Sequence, residues 1–124
     1  MSGDNPLEGL NILVAEDESL IAFDLTAMLT RFGCHVVGPA ARIEDVIRLA
    51  RAGQIDGALL DVNLRGRQIF DILPELLALD LKVVLTSGYD DATLFPPAFR
   101  GLPRISKPVD EKALREACQT HFAR

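Results

Sequence analysis

Residues 12–21 read ILVAEDESLI: four apolar residues run into three acids, Glu16, Asp17 and Glu18, before apolar residues resume. The run NILVA (11–15) is too short for a helix and reads as a buried strand. Beyond the acids, Ile21, Leu25, Met28 and Phe32 recur at i, i+4, i+7 and i+11, one stripe of a helix that Gly33 closes. A buried strand that delivers negative charge at its end therefore opens a strand–helix unit. The acids have two readings at this point. They favour a helix N-terminus, with Asp17 or Ser19 as the cap, or they belong to a cation site.

The same unit recurs along the chain. CHVVG (34–38) is a second short strand ended by Gly38-Pro39, and Ile43, Val46, Ile47 and Ala50 mark a helix closed by Gly53. DGALLDV (56–62) is a third strand, again finishing on an acid, Asp61. Ile69, Ile72, Leu73 and Leu76 mark a third helix, which Pro74 kinks or forces to start later. KVVLTS (82–87) is a fourth strand stopped by Gly88, and a short helix is expected over 91–99, crowded by Pro96 and Pro97. PRIS (103–106) is a brief fifth strand, and Leu114, Ala117, Cys118 and His121 give a last amphipathic helix. Such alternation predicts an α/β fold, a five-stranded parallel sheet with helices on both faces and right-handed crossovers. No repeat or linker interrupts it, so residues 1–124 read as one domain with 1–9 as an N-terminal tail.

Bulk properties narrow the function. The chain is 48% hydrophobic and 25% charged, with a formal net charge of −5 and no block of Lys or Arg. That surface repels phosphate backbones, which argues against direct nucleic-acid binding. No apolar run approaches the roughly 18 residues a membrane span requires. MSGDNPLEG at the N-terminus lacks the basic-then-apolar pattern of a signal peptide, so the reading is cytoplasmic. Cys34 and Cys118 sit in apolar settings and read as small buried hydrophobes. His35 and His121 form no metal-ligand spacing with each other or with the cysteines.

In a doubly wound sheet the site lies at the C-terminal edge of the strands. Strand one brings Glu16 and Asp17 to that edge, strand three Asp61, strand four Thr86 and Ser87, and strand five Lys107. Carboxylates converging in one crevice repel unless a cation sits among them, and hard oxygens suit Mg²⁺. The set fits phosphoryl transfer onto a carboxylate. Asp61 is the nucleophile, Asp17, Asp61 and the backbone carbonyl of Asn63 hold the metal, and Ser87, the Gly88 amide and Lys107 take the phosphoryl oxygens. Singly, each piece has a plain alternative: a helix start for the acids, a turn for Asp61 and for TSGY, a surface dipeptide for Lys107-Pro108. Their joint placement on four strand ends favours the chemical reading.

At this point the whole chain resembles the receiver domain of two-component response regulators, through ILVAEDE, ALLDVNLRG, VVLTSGY and ISKPV in that order. The resemblance implies a (βα)5 flavodoxin-like fold, an acidic pair for Mg²⁺ at Glu16 and Asp17, and a phospho-acceptor at Asp61. It further implies a switch hydroxyl at Ser87, with Thr86 as the fallback, and the lysine at Lys107. It implies no turnover of an external substrate beyond the protein's own phosphorylation and dephosphorylation. The implied donor is a histidine kinase or a phosphotransfer protein. Downstream lies a protein target or a phosphate-sink role, and a homodimer is compatible with either.

Two departures stand out. Arg104 occupies a position where many receivers carry a switching aromatic, and Arg65 stands where a proline often follows the phosphorylation loop. The stretch from VVLTSGY to SKPV (83–109) is similar to a receiver subgroup with a FATGY-type motif. That similarity implies that Tyr89 and residues 90–102 carry the switch. Three rivals remain in view. An aspartyl-nucleophile phosphatase usually has an acid two residues after the nucleophile, where Asn63 stands; a flavin or nucleotide carrier wants a Gly- or hydroxyl-rich phosphate loop where AEDES stands. A receiver-like interaction module that is never phosphorylated is the third.

Overall fold

In the computed structural model, which describes residues 5–88 and 95–123, β1 (Asn11–Ala15) leads to α1 (Ser19–Arg31), β2 (His35–Ala40), α2 (Ile43–Ala52) and β3 (Gly57–Asp61). A small hairpin follows, β4 (Asn63–Leu64) and β5 (Arg67–Gln68), then a 3-10 turn at Ile69–Asp71 and α3 (Leu73–Ala78). The chain continues through β6 (Val83–Ser87), a second 3-10 turn at Pro97–Phe99, β7 (Arg104–Ser106) and α4 (Glu111–His121). Five strands form one parallel sheet in the order β2-β1-β3-β6-β7. The order reverses between β1 and β3, which places a crevice at the C-terminal ends of those two strands.

The three middle strands are apolar almost throughout because both of their faces are covered. Leu13, Ala58, Leu60 and Leu85 face a core with Ile43 and Val46 of α2 and Leu73 and Leu76 of α3. Ile12, Val14, Leu59 and Val84 face the opposite core, with Leu25 and Leu29 of α1 and Leu114 and Cys118 of α4. Each fully buried Leu or Ile contributes roughly 1.5–3 kcal/mol relative to exposure, and a one-residue slip of any strand would exchange its two faces. At the sheet's N-terminal edge, a Cβ on Gly57 would meet the Phe122 ring at 2.3 Å, so the last core aromatic lies directly on bare backbone.

Several local expectations change. Pro74 falls in the first turn of α3, where its missing N–H is harmless, so the helix starts late and residues 69–71 make a 3-10 turn instead. Strand β2 does not stop at Gly38-Pro39; it bulges against β1 and runs on to Ala40. Of the helix expected over 91–99, residues 91–94 lie outside the described residues, and the rest holds only the 3-10 turn at Pro97–Phe99. In α1 the buried residues are Ala22, Leu25 and Leu29, while Ile21 and Met28 are only partly buried against the same core. Residues 5–9, read as part of a tail, turn back on the core: Leu7 is buried, and Asn5 Nδ2 donates to the Phe32 carbonyl at 3.0 Å. Among the described residues no helix is long and apolar enough to cross a membrane.

The Gly57–Phe122 contact is testable. Gly57→Ala is expected to destabilise the fold by about 1–3 kcal/mol, the usual range for overpacking a core. A lowered urea midpoint measures it, and Phe122→Leu in the same chain should recover part of the loss.

Candidate functional site

The C-terminal edge of the sheet gathers the charges that the sequence distributes over four strands. The Glu16 amide donates to the Ala40 carbonyl at 2.9 Å, so pairing of β1 with β2 carries past the strand end and directs the Glu16 side chain inward. Glu16 is buried, and its Oε2 accepts from the Glu18 amide at 3.1 Å. Asp17 Oδ2 accepts from the Arg65 amide at 2.8 Å. Glu18 is the N-cap residue of α1, and it makes no side-chain cap bond. The acids of EDES therefore do not cap the helix with Asp17 or Ser19; they serve the strand edge.

Asp61 ends β3 and is 3% exposed. Its Oδ1 accepts from the Asn63 amide at 3.2 Å, and its Oδ2 accepts from Lys107 Nζ at 2.7 Å. Lys107 Nζ also forms an ion pair with Glu16 Oε1 at 2.8 Å. The lysine is placed by its own backbone, whose amide donates to the Ser87 carbonyl at 2.9 Å and so extends the β6–β7 pairing by one bond. Glu16, Asp17 and Asp61 each offer an oxygen within 4.8 Å of the others. Asp17, Asp61, Asn63, Gly88 and Lys107 line a depression of about 360 Å³ at this edge.

The hairpin after Asp61 supplies a contact that sequence reading missed. Arg65 and Gly66 form its tip with φ of 51° and 81°, the left-handed pair of a tight two-residue turn. Asn63 Oδ1 accepts from the Gly66 amide at 3.1 Å, and Asn63 and Leu64 pair with Gln68 and Arg67. The turn aims the Arg65 amide at Asp17. The only sequence signal was a glycine after Arg65, far weaker than Asn-Gly.

Both candidate hydroxyls are buried at the end of β6. Thr86 is the register partner of Asp61, and Ser87 that of Ser106. Thr86 Oγ1 has no hydrogen-bond partner among the described residues. Tyr89 lies outside the described residues. Arg104 is exposed, and its guanidinium lies 4.8 Å above the Phe95 ring. Phe95 meets Phe70 edge-on at 4.9 Å, and Phe70 stacks on Phe99 at 5.9 Å. The aromatic absent at 104 is thus replaced by a cation resting on an aromatic from the preceding segment.

Burial pushes the Asp61 carboxyl up to about 6; the Lys107 hydrogen bond and the Asn63 amide pull down, and the Glu16 charge adds to the rise. Burial works against the Lys107 ammonium, but its bonds to Asp61 and Glu16 outweigh this and hold it above its ordinary value. Burial raises the Cys34 thiol to about 11 and the Cys118 thiol to about 12, so neither is a ready nucleophile. The arrangement offers one buried carboxylate next to a fixed ammonium, with two further carboxylates able to share a cation with it. It suits transfer of an anionic group onto Asp61.

Comparison with known proteins agrees with the geometry. Residues 12–119 match the family described as the response regulator receiver domain. The chain is 35% identical over 78 residues to the transcriptional regulatory protein PdtaR of Mycobacterium tuberculosis, covering 61% of this chain and 38% of PdtaR. It is 33% identical over 122 residues to the transcriptional regulatory protein AfsQ1 of Streptomyces coelicolor, covering 86% of this chain and 54% of AfsQ1. The chain thus spans about half or less of the length of these curated relatives. The solution structure of SdrG from Sphingomonas melonis Fr1 matches with a TM-score of 0.78 at 32% identity, covering 88% of this chain and 92% of that one. The BeF3-activated conformation of SdrG matches at 0.75, again with 32% identity, covering 86% and 91%.

The raised Asp61 carboxyl sets a pH dependence. Its ordinary value of 3.8 lies below the folded value of about 6, so the folded state binds this proton more tightly. The stability Asp61 contributes is therefore complete below pH 4 and lost as pH rises through 6. In chelator-treated buffer, Asp61→Asn should be more stable than wild type at pH 7 by on the order of 1–2 kcal/mol. Urea melts from pH 4 to 8 should show that gain shrinking to nothing at the acidic end.

Proposed function

Because the chain belongs to the receiver-domain family of response regulators, we propose that Asp61 accepts a phosphoryl group in a Mg²⁺-dependent reaction and that the product switches a protein-binding surface. The observation that carries this reading is the buried Asp61 carboxylate, bonded to Lys107 at 2.7 Å, clustered with Glu16 and Asp17, and lining the depression together with Asp17. Three carboxylates are there balanced by one ammonium, a deficit of positive charge that a hard divalent cation fits. Asp17 and Asp61 would hold it, with the Asn63 carbonyl beside them and Glu16 as the third acid of the cluster. When bound, Mg²⁺ neutralises charge on the phosphoryl oxygens.

The remaining work falls to the chain itself. An Asp61 oxygen attacks phosphorus as the bond from phosphorus to the donor imidazole nitrogen breaks, and the imidazole keeps that electron pair. Lys107, the Gly88 amide and the Ser87 hydroxyl, with Thr86 as the other candidate, take the phosphoryl oxygens. The donor is a histidine kinase or phosphotransfer protein, and the product selects a downstream protein target. SdrG has a BeF3-activated conformation, and BeF3 imitates a phosphoryl group. The switch, in this reading, runs through Tyr89 and the following segment as in a FATGY-type receiver, with Arg104 on Phe95 in place of a swinging aromatic.

A docking face for the donor adjoins the site. Ile21 and Lys107 line both the depression and an apolar groove of about 100 Å³ bounded by Met28, Pro108 and Val109. Leu20 and Phe23 stand 82% and 71% exposed on the same helix. A donor protein that covers these residues brings its phosphohistidine over Asp61.

Incubation with a small phosphodonor and Mg²⁺ should add one phosphoryl group by mass. Hydroxylamine should remove it, as expected of an acyl phosphate, and Asp61→Asn should never acquire it; a stable adduct on any other residue overturns the assignment. Phe23→Ala with Leu20→Ala should slow transfer from a phosphotransfer protein by about tenfold, as loss of an exposed apolar anchor implies. The same pair should leave uptake from the small donor unchanged.

A further inference from the structure

The tip of the hairpin after Asp61 is built against local preference. Arg65 and Gly66 take φ of 51° and 81°, a left-handed pair that Asn-Gly suits and a long side chain does not. The Arg65 amide bonds Asp17 Oδ2 at 2.8 Å, a contact open to any residue except proline. Neither the turn nor this bond therefore asks for arginine. The side chain is exposed, and among the described residues its guanidinium has no ion-pair partner, whereas Arg67 pairs with Glu44. A residue that breaks the local rule without a compensating contact points to a role outside the fold.

Position limits what that role can be. With its amide bonded to Asp17, the Arg65 charge stays within roughly 11 Å of that carboxylate in every rotamer. The depression beside it is lined by Asp17, Glu18 and Asp61 against one cation, Lys107, and that ammonium is already held by Asp61 and Glu16. A phosphoryl dianion that enters here meets an excess of negative charge, on a chain whose formal charge is −5. Arg65 adds an uncommitted cation at the rim. A unit charge about 11 Å away in water changes the approach of a dianion by about threefold. At 0.01 M salt, where the screening length is about 30 Å, its field reaches the whole depression.

We propose that Arg65 is a specificity residue: from the turn tip it draws phosphodonors that arrive as dianions, and the same field weakens the resting affinity for a divalent cation. The proposal rests on the phospho-acceptor reading and adds to it a preference among donors, set by a side chain outside the reacting groups. Arg65 acts through its charge and not through a bond to the donor or the ion.

Acetyl phosphate, a dianion at neutral pH, and phosphoramidate, a monoanion, are the probes. At about 0.01 M salt and saturating Mg²⁺, Arg65→Asn should slow uptake from acetyl phosphate about threefold and from phosphoramidate about 1.7-fold. Without donor, Mg²⁺ binding to the same variant, read from the Asn63 and Gly66 amide shifts, should tighten about threefold. Arg65→Lys should leave all three readings unchanged, and 1 M salt, with a screening length of about 3 Å, should erase the differences. Opposite signs for the anion and the cation are the mark of a charge; a damaged turn would weaken both, because the amide of this residue holds Asp17. Weakening of both, equal slowing of the two donors, a lysine variant that behaves like the asparagine one, or an effect that survives 1 M salt overturns the proposal. Wild-type protein that takes up no phosphoryl group from either donor refutes the phospho-acceptor reading, and the Mg²⁺ affinities then still decide whether Arg65 sets the field at the depression.

Discussion

The ammonium of Lys107 lies between two carboxylates that are themselves out of water, 2.7 Å from Asp61 and 2.8 Å from Glu16. Each acid alone would be an expensive burial, and each is held there by a cation that arrives from the far end of the chain. The need for this balance explains much of the edge. Strand β7 is only three residues long, yet the Lys107 amide continues its pairing with β6 through the Ser87 carbonyl. The short strand has to end where its next side chain can reach across two neighbours. The apolar strands beneath supply the rigidity that fixes all three positions at once.

Much of this was legible in the residues. Strands buried on both faces announce themselves as unbroken apolar runs, and ILVA, ALL and VVL are the three central strands. Their ends could be read because each run stops abruptly on a polar or charged residue. The stripe of α2 was also plain, with Ile43, Val46 and Ala50 all buried. Less legible were features whose cause lies across space. Asp17 looks like a helix cap from its position before Ser19, and only the fold shows that the Arg65 amide competes for it. Pro74 marks a discontinuity in the third helix pattern, but its position could not say whether the helix would bend or begin late. The turn at 65–66 left almost no local trace, because arginine is a poor advertisement for a left-handed backbone.

The segment leading into β7 shows a different kind of substitution. An arginine at 104 removes one aromatic from the expected pattern, yet the surface keeps an aromatic assembly of Phe70, Phe95 and Phe99 under that arginine. Arg100 Nε adds a bond to the Phe95 carbonyl at 3.2 Å, so two cationic side chains hold one buried residue, one at its ring and one at its backbone. A flat guanidinium can rest on an aromatic face while its charge stays in water. The register partner of Arg104 is Leu85, two residues before Ser87, so this assembly is mechanically continuous with the strand that ends at the site.

The bond from the Arg65 amide to Asp17 joins the functional edge of the sheet to the tip of a surface turn. A carboxylate that shifted toward a guest cation would draw on this turn, whose tip carries the full positive charge of Arg65. Filling the crevice would thus be broadcast outward as a relocated charge, visible to a neighbour that never looks inside.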